Sequence, residues 1–277
     1  MRGTELIVVM CTVILIVAVT TAVIMGITAY TPGPEVRPLA KFYLENCLNL
    51  WNRAYWAASP EAVCSMLWDY RGIDTLYETT VFFLAIIGGV TVFRLIEVTP
   101  PLESLSEKIR RVLGLSVIVR TISKIVASII LIVAVAIAAH GHLTPGGGFQ
   151  AGAAISVAPL MIIIALSRYF LEERKLTKER MLALRTVGLL TIWCTVIIPL
   201  IFALVGQVVY AMQNQAKPWT TFPGFPTGQL STWIAGSLFI YNMAEFVAVG
   251  AGFTLLFLLL SLPEEVFREF MRRLTRK

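Results

Sequence analysis

The sequence has few charged residues, and this scarcity excludes most soluble folds. Only 14% of its 277 residues are Asp, Glu, Lys or Arg, whereas 57% are hydrophobic. A soluble domain of this size carries about 25% charged residues. The long apolar runs between the charges are typical of membrane-spanning helices. The composition therefore predicts an all-α integral membrane protein.

Metal ligands and catalytic groups are also scarce. The chain has two histidines, His140 and His142, and four cysteines, none of them in a CxxC pair. Two histidines without a third ligand do not make a zinc site, and no nucleophile has a base near it. We therefore expect no metal, no cofactor and no catalytic centre on this chain. Cys47 and Cys64 share one loop and either form a disulfide or remain free thiols.

Motifs for nucleic acid and phosphate are missing as well. The net charge is +6, but the basic residues lie in short connections between apolar runs and form no patch interleaved with aromatic residues. The triple glycine at 146–148 is followed by Phe149 and Gln150, where a P-loop needs Lys and then Ser or Thr. Neither kind of ligand is expected.

Six apolar runs account for most of the chain. A helix needs about 20 residues to cross the hydrocarbon of a membrane. The runs predict about six spans, at or around 6–29, 79–93, 125–139, 149–167, 187–209 and 241–262. The second and third runs are short, so a full span must include Glu78 in one and Lys124, His140 or both in the other. We interpret the apolar but Pro- and Gly-rich stretch 218–240 as re-entrant or interfacial.

Basic residues set the predicted orientation. They cluster in the connections 94–124 and 168–185, the second of which ends at Arg185, and in the C-terminal tail. Basic connections face the cytoplasm. The sequence therefore predicts a multi-pass plasma-membrane protein with both termini in the cytoplasm.

The predicted outer loop, 31–78, carries patterns of two short amphipathic helices. Apolar residues recur at helical spacing at Leu44, Cys47, Leu48, Trp51 and Tyr55. Further on, Ser59 is placed as an N-cap, with Pro60 at the first helical position. We expect both helices to lie along the membrane surface.

The stretch HGHLTPGGGFQAGA at 140–153 separates the third and fourth runs. Its uncharged turn residues predict a tight outer turn, and small residues then recur every four positions and permit close helix packing. The turn and packing residues are Pro145, Gly146, Gly147, Gly148, Phe149 and Gly152. His140 and His142 either bond backbone carbonyls in this turn or relay protons at the membrane edge.

Two acids fall inside predicted spans. Glu78 is included because its apolar run is too short without it, and Glu245 lies within the last run. An ionised carboxylate in hydrocarbon costs at least about 2.5 kcal/mol. We therefore expect both to face the protein interior or a hydrated cavity, where they exchange ions or only bond a neighbouring helix. Ion-translocation candidates at this point are Glu78, Glu245, His140, His142 and Lys124.

The glycine-rich stretch, with the residues around it over 113–265, resembles the MnhB/MrpB subunit of the multi-subunit sodium–proton antiporters. A second stretch, LWDYRGIDTLYETTVFFLAIIGGV at 67–90, is similar to a motif in the C-terminal part of the MrpA subunit. The matching positions are Asp69, Arg71, Gly72, Asp74, Thr75 and Glu78. The two resemblances imply a fusion of two subunits, with domains at 1–100 (two spans) and 101–277 (four spans).

The resemblance implies a role within a large complex. It implies an accessory subunit of a sodium/proton antiporter module, alone or in a redox-driven complex of the hydrogenase or sulfur reductase type, with Na⁺ and H⁺ as the transported ions. It adds Asp69 and Asp74 to the ion-translocation candidates. The implied partners are other Mrp-type membrane subunits and lipid. An independent small transporter or channel is the alternative.

Overall fold

The computed structural model describes residues 3–24, 35–93, 116–227 and 235–262. Their regular structure is helical, which confirms the all-α prediction. Within these ranges, five helices are long and apolar enough to cross a membrane: α4 (Gly72–Phe93), α5 (Val117–His140), α6 (Gly148–Ala165), α8 (Lys178–Leu204) and α9 (Ser237–Leu260). The chain is therefore a multi-pass membrane protein.

The chain divides into two compact units, residues 1–44 and 45–277. The first contains helix α1 (Gly3–Ile24) and most of α2 (Pro38–Asn46). The predicted first span at 6–29 falls on α1, whose apolar stretch runs over Val9–Ala22. The end of that predicted span lies outside the described residues.

The spans include the ionisable residues that the short apolar runs required. Glu78 lies on α4, and both Lys124 and His140 lie on α5. The connection predicted at 168–185 is largely helical, because it contains α7 (Arg168–Glu173) and the first two turns of α8. Arg185, which was counted at the end of this basic connection, is instead buried inside the helix packing, with 1% of it exposed.

Helix α9 forms the centre of the second unit. It packs against α8 and α6 over most of its length and against α4 more locally, while α5 packs on α6. Glycine permits the closest of these approaches. A Cβ at Gly188 of α8 would lie 2.6 Å from the carbonyl oxygen of Ala244 on α9. A side chain at position 188 would therefore overlap the backbone of α9, so the two helices can pack this closely only with glycine there.

The outer loop differs from its prediction at both helices. Helix α2 ends at Asn46, so the expected helix through Trp51 and Tyr55 is absent. The Asn49 side chain instead accepts bonds from the backbone N–H groups of Trp51 and Asn52, a local turn that competes with helix formation.

The second helix of this loop begins later than its pattern suggested. Helix α3 (Ala62–Ser65) is capped by Glu61 and continues into a π-helical turn, Met66–Tyr70. Ser59 is not the cap, because its hydroxyl donates to the carbonyl of His142 at 2.6 Å. A tertiary contact thus outweighs the local capping preference. No disulfide joins Cys47 and Cys64, so the disulfide alternative was wrong.

The connection between α8 and α9 is irregular where it is described. It contains an isolated antiparallel bridge between Gln215 and Gly224. Of the stretch 218–240, residues 218–227 and 235–236 are not helical and 237–240 begin α9, while 228–234 lie outside the described residues. The described part of this stretch therefore contains no further span.

Candidate functional site

The glycine-rich turn brings the N-terminal end of α6 against α9. A Cβ at Gly148 would lie 2.4 Å from the carbonyl oxygen of Asn242 and 2.7 Å from Oε2 of Glu245. One turn further, a Cβ at Gly152 would lie 2.7 Å from Cβ of Val249. Both glycines thus face a helix of the same chain. Only the absence of side chains allows the approach.

Glu245 is held at this contact between helices. It projects from α9, is 6% exposed and lies beside the first residues of α6. The first N–H groups of a helix have no partner within it and carry a partial positive charge. The N-terminus of α6 therefore stabilises a negative charge on Glu245. Gly148 permits this approach, since a Cβ there would lie 2.7 Å from Cβ of Glu245.

A cavity of about 210 Å³ opens beside Glu245. Glu78 of α4 lines the same cavity, so two carboxylates from two spans share one space. The rest of its polar wall comes from Cys64, Thr75, Thr79, Gln150 and Asn242. The volume accommodates several water molecules or a partly hydrated cation. The expectation for Glu245 is thus met within the protein interior.

Glu78 differs from Glu245 in its exposure. Its side chain is exposed on this chain and also lines the cavity, the second of the two surroundings expected for it. The neighbouring residues Tyr77 and Val81 on α4 are exposed to 64% and 63%. Glu78 therefore lies at the mouth of the cavity, on an open face of a membrane helix.

A second polar cluster lies on the loops outside the spans. Lys217 Nζ is 2.8 Å from Oδ2 of Asp69 and 3.1 Å from the carbonyl of Trp56. The backbone N–H of Asn214 donates to the other Asp69 oxygen at 3.1 Å. Burial raises the pKa of Asp69 above its ordinary value, and the Lys217 ammonium opposes that shift. The pair joins loop segments 148 residues apart.

Cys64 and Asn242 connect the loop 31–78 to the cavity. The Asn242 side-chain amide donates to Cys64 Sγ at 3.2 Å, and both residues line the cavity. Burial raises the pKa of Cys64 to about 12, so the thiol stays neutral near physiological pH. Cys64 therefore lines the cavity as a neutral thiol and does not act as a nucleophile.

The other predicted ion-translocation residues lie apart from the cavity wall. A ring nitrogen of His140 is 2.9 Å from the carbonyl of Ala136, on the same helix, which is the structural role left open for it. His142 is buried, with its ring 5.8 Å from that of Phe239. Lys124 lies over the Phe170 ring at 5.4 Å, and Asp74 pairs with Arg71 at the surface.

Sequence reasoning missed Lys217, Asn214 and Asn242. One signal was present: Lys217 is the only charged residue in the connection 210–240. A single cation in an otherwise uncharged connection suggests a partner elsewhere. Asn242 and Asn214 gave no comparable signal, because an asparagine near a span end is ordinary.

A family match identifies the domain that contributes Glu245 to this cavity. Residues 118–255 match the family described as "Domain related to MnhB subunit of Na+/H+ antiporter". Residues 118–255 form an MnhB-related domain. The glycine-rich turn and Glu245 lie inside this domain, whereas Glu78 and Asp69 precede it. The resemblance to MnhB is thus confirmed.

Two solved structures share the fold of the chain. One is a chain of the Mrp complex from Dietzia sp. DQ12-45-1b, at 17% identity and a TM-score of 0.54, covering 94% of this chain and 26% of that one. The other belongs to the membrane-bound sulfane sulfur reductase, an archaeal respiratory membrane complex, at 23% identity and 0.54, covering 91% and 97%. The protein thus spans about a quarter of the first neighbour. No curated protein matches it.

The family match begins at residue 118 and so does not test the part of the chain before it. The resemblance of 67–90 to the MrpA C-terminal part stays a prediction, as do the domain bounds 1–100 and 101–277. The structure adds that α4, which carries the end of that motif, packs on α9 of the MnhB-related domain.

Gly148→Ala is expected to disrupt the contact between α6 and α9. The new methyl group would overlap the Asn242 carbonyl, a backbone atom that cannot move aside, so we expect a loss of about 1–3 kcal/mol or more. The measurement is the thermal stability and yield of the detergent-purified protein. Gly88→Ala on α4 is the control, since no atom lies within 4 Å of that Cβ position. Equal stability of the two variants would contradict the docking role.

Proposed function

We propose that this protein is an accessory subunit of a sodium/proton antiporter module and that its cavity binds the transported ions. The observation that carries the proposal is that Glu245 and Glu78, from two spans, line one cavity. This cavity lies beside the glycine-rich N-terminus of α6. Intramembrane carboxylates that share a cavity mark ion paths more often than packing. The MnhB-related domain supports the same assignment.

The chemistry of the wall fits sodium and protons. Its ligand atoms are carboxylate, amide and hydroxyl oxygens, which suit hard cations. A carboxylate holds either a proton or a cation, so binding of one displaces the other. The carboxylate of Glu245 is the primary site, because it is the more buried of the two. Glu78 is the secondary site at the mouth.

The setting we propose is a hetero-oligomer in the plasma membrane with both termini in the cytoplasm. Structural likeness to chains of an Mrp complex and of an archaeal respiratory complex supports partners that are other Mrp-type membrane subunits. The exposed carboxylate of Glu78 supports the same setting, since a partner subunit would remove it from lipid. The proposal covers a plain antiporter and a redox-coupled host alike.

Purification tests this assignment. The tagged chain, extracted from its native membrane, is expected to bring down several other membrane subunits in a stable complex. After reconstitution, that complex should move protons in response to a sodium gradient. Iron–sulfur or nickel content in the complex would identify a redox-driven host. A chain that purifies alone and transports ions by itself would contradict the subunit role and support an independent transporter.

A further inference from the structure

Arg185 is a buried cation inside the membrane-spanning part of the protein. It lies on α8 and is 1% exposed. Its Nη2 donates to the carbonyls of Phe82 and Phe83 on α4, at 3.2 Å and 2.5 Å. Its Nη1 is buried and has no hydrogen-bond partner among the described residues. A charge so placed is costly to keep, which indicates a use beyond packing.

The guanidinium lies directly behind the wall of the acidic cavity. Its Cζ is 4.3 Å from the centre of the Phe83 ring and 5.9 Å from that of the Phe82 ring, and of these two rings Phe82 lines the cavity. Phe82 is one helical turn past Glu78 on α4. On α9, a Cβ at Gly252 would meet both Arg185 Nε at 3.4 Å and Phe82 Cε1 at 3.3 Å. Gly252 is about two turns past Glu245, so Arg185 lies deeper than both acids.

Aromatic rings fill the space on this side of the cavity. The Phe82 ring is 5.9 Å from that of Phe149 and 5.1 Å from that of Phe253. Phe149 also lines the cavity, and its ring is 6.3 Å from Phe253. The cavity is therefore bounded toward Arg185 by apolar rings with a positive charge behind them. Toward Glu78 it is bounded by an exposed carboxylate.

We propose that Arg185 is the electrostatic barrier at the inner end of the cavity. Its fixed charge repels a cation that has entered, so the cation leaves past Glu78 toward a neighbouring subunit and does not continue through this chain. The inference rests on the proposed function, because it requires a cation in the cavity. Arg185 acts on that cation from behind Phe82 and does not bind it.

The test uses the whole complex in liposomes and measures the apparent KM for sodium and the passive leak of radioactive sodium. Arg185→Met removes the charge and keeps an apolar chain of similar length. We expect the KM for sodium to fall about tenfold, and the leak to rise, because a nearby repulsive charge is gone. Arg185→Lys keeps the charge and should retain the wild-type KM. Arg180→Met removes an exposed charge from the same helix and should change neither quantity.

An assembled Arg185→Met complex with wild-type KM and leak would overturn the barrier. If that variant does not assemble, Phe82→Ala decides. With the ring removed, the Arg185 charge faces the cavity, so the KM for sodium should rise without a leak. A leak at unchanged KM would show a purely apolar plug and would overturn the proposal. Loss of the proposed function is separate, since it would appear as sodium transport that is indifferent to Glu245.

Discussion

Replacing Glu245 by glutamine is expected to lower sodium-dependent proton movement by the assembled complex by roughly a hundredfold or more. Glutamine keeps the volume and hydrogen-bonding capacity of the side chain, so the contact with the α6 N-terminus can persist. It cannot carry the charge that attracts a cation or release a proton to exchange for it. The measurement is the initial rate of the pH change that a sodium pulse causes in proteoliposomes.

Two matched variants show whether the loss belongs to the cavity. Glu179→Gln changes an exposed acid in the first turn of α8 and should leave the rate unchanged. Glu78→Gln should give an intermediate loss, because Glu78 lies at the mouth. If both Glu78→Gln and Glu245→Gln assemble and transport at the wild-type rate, the two acids only bond neighbouring helices, and the ion path lies in other subunits.

Lys217→Met is expected to be the most destabilising substitution outside the spans, at about 3 kcal/mol or more. It leaves the Asp69 carboxylate, whose side chain is 2% exposed, without its ammonium partner. The pKa of Asp69, already raised by burial, then rises further. A raised pKa means that the folded state keeps a proton that the unfolded chain has lost. The loss of stability caused by Lys217→Met should therefore be largest near neutral pH. It should shrink as the pH falls through the pKa of Asp69 in the folded state.

Thermal unfolding of the purified protein at neutral and acid pH measures this effect. The double variant Asp69→Asn with Lys217→Met removes both charges and should recover much of the loss. Arg71→Met breaks the surface pair of Arg71 with Asp74, whose side chains are 60% and 53% exposed, and should cost at most about 1 kcal/mol. A Lys217→Met protein as stable as the wild type near neutral pH would show that the ion pair does not hold the two loops together.

The spans and the glycine contacts were predictable because their signals are local. Apolar run length determines where a helix can cross, and the shortness of two runs placed Glu78, Lys124 and His140 on helices. The four-residue spacing of Gly148 and Gly152 puts both on one helix face, which in the structure lies against α9. The sequence could not say that this face meets Glu245, since that depends on how α6 and α9 are docked.

The features that the sequence did not predict correctly have a common cause, which is contact between residues far apart in the chain. Ser59 has the pattern of a cap but bonds the carbonyl of His142, a residue far along the chain. The sequence places Arg185 at the end of a basic connection between spans. In the structure it lies buried on α8, where carbonyls of α4 accept its hydrogen bonds. Lys217 was not among the predicted site residues, because its partner, Asp69, is 148 residues away in the sequence. Each outcome depends on contacts that no local pattern contains.

Direct binding of sodium to the purified complex tests the central claim most closely. Equilibrium dialysis with radioactive sodium, on the wild-type complex and on Glu245→Gln, reports occupancy without requiring transport. We expect the wild type to retain one sodium ion per complex more than the variant and to release it as the pH is lowered. Equal retention by the two intact complexes, at every pH, would contradict a cation site at Glu245.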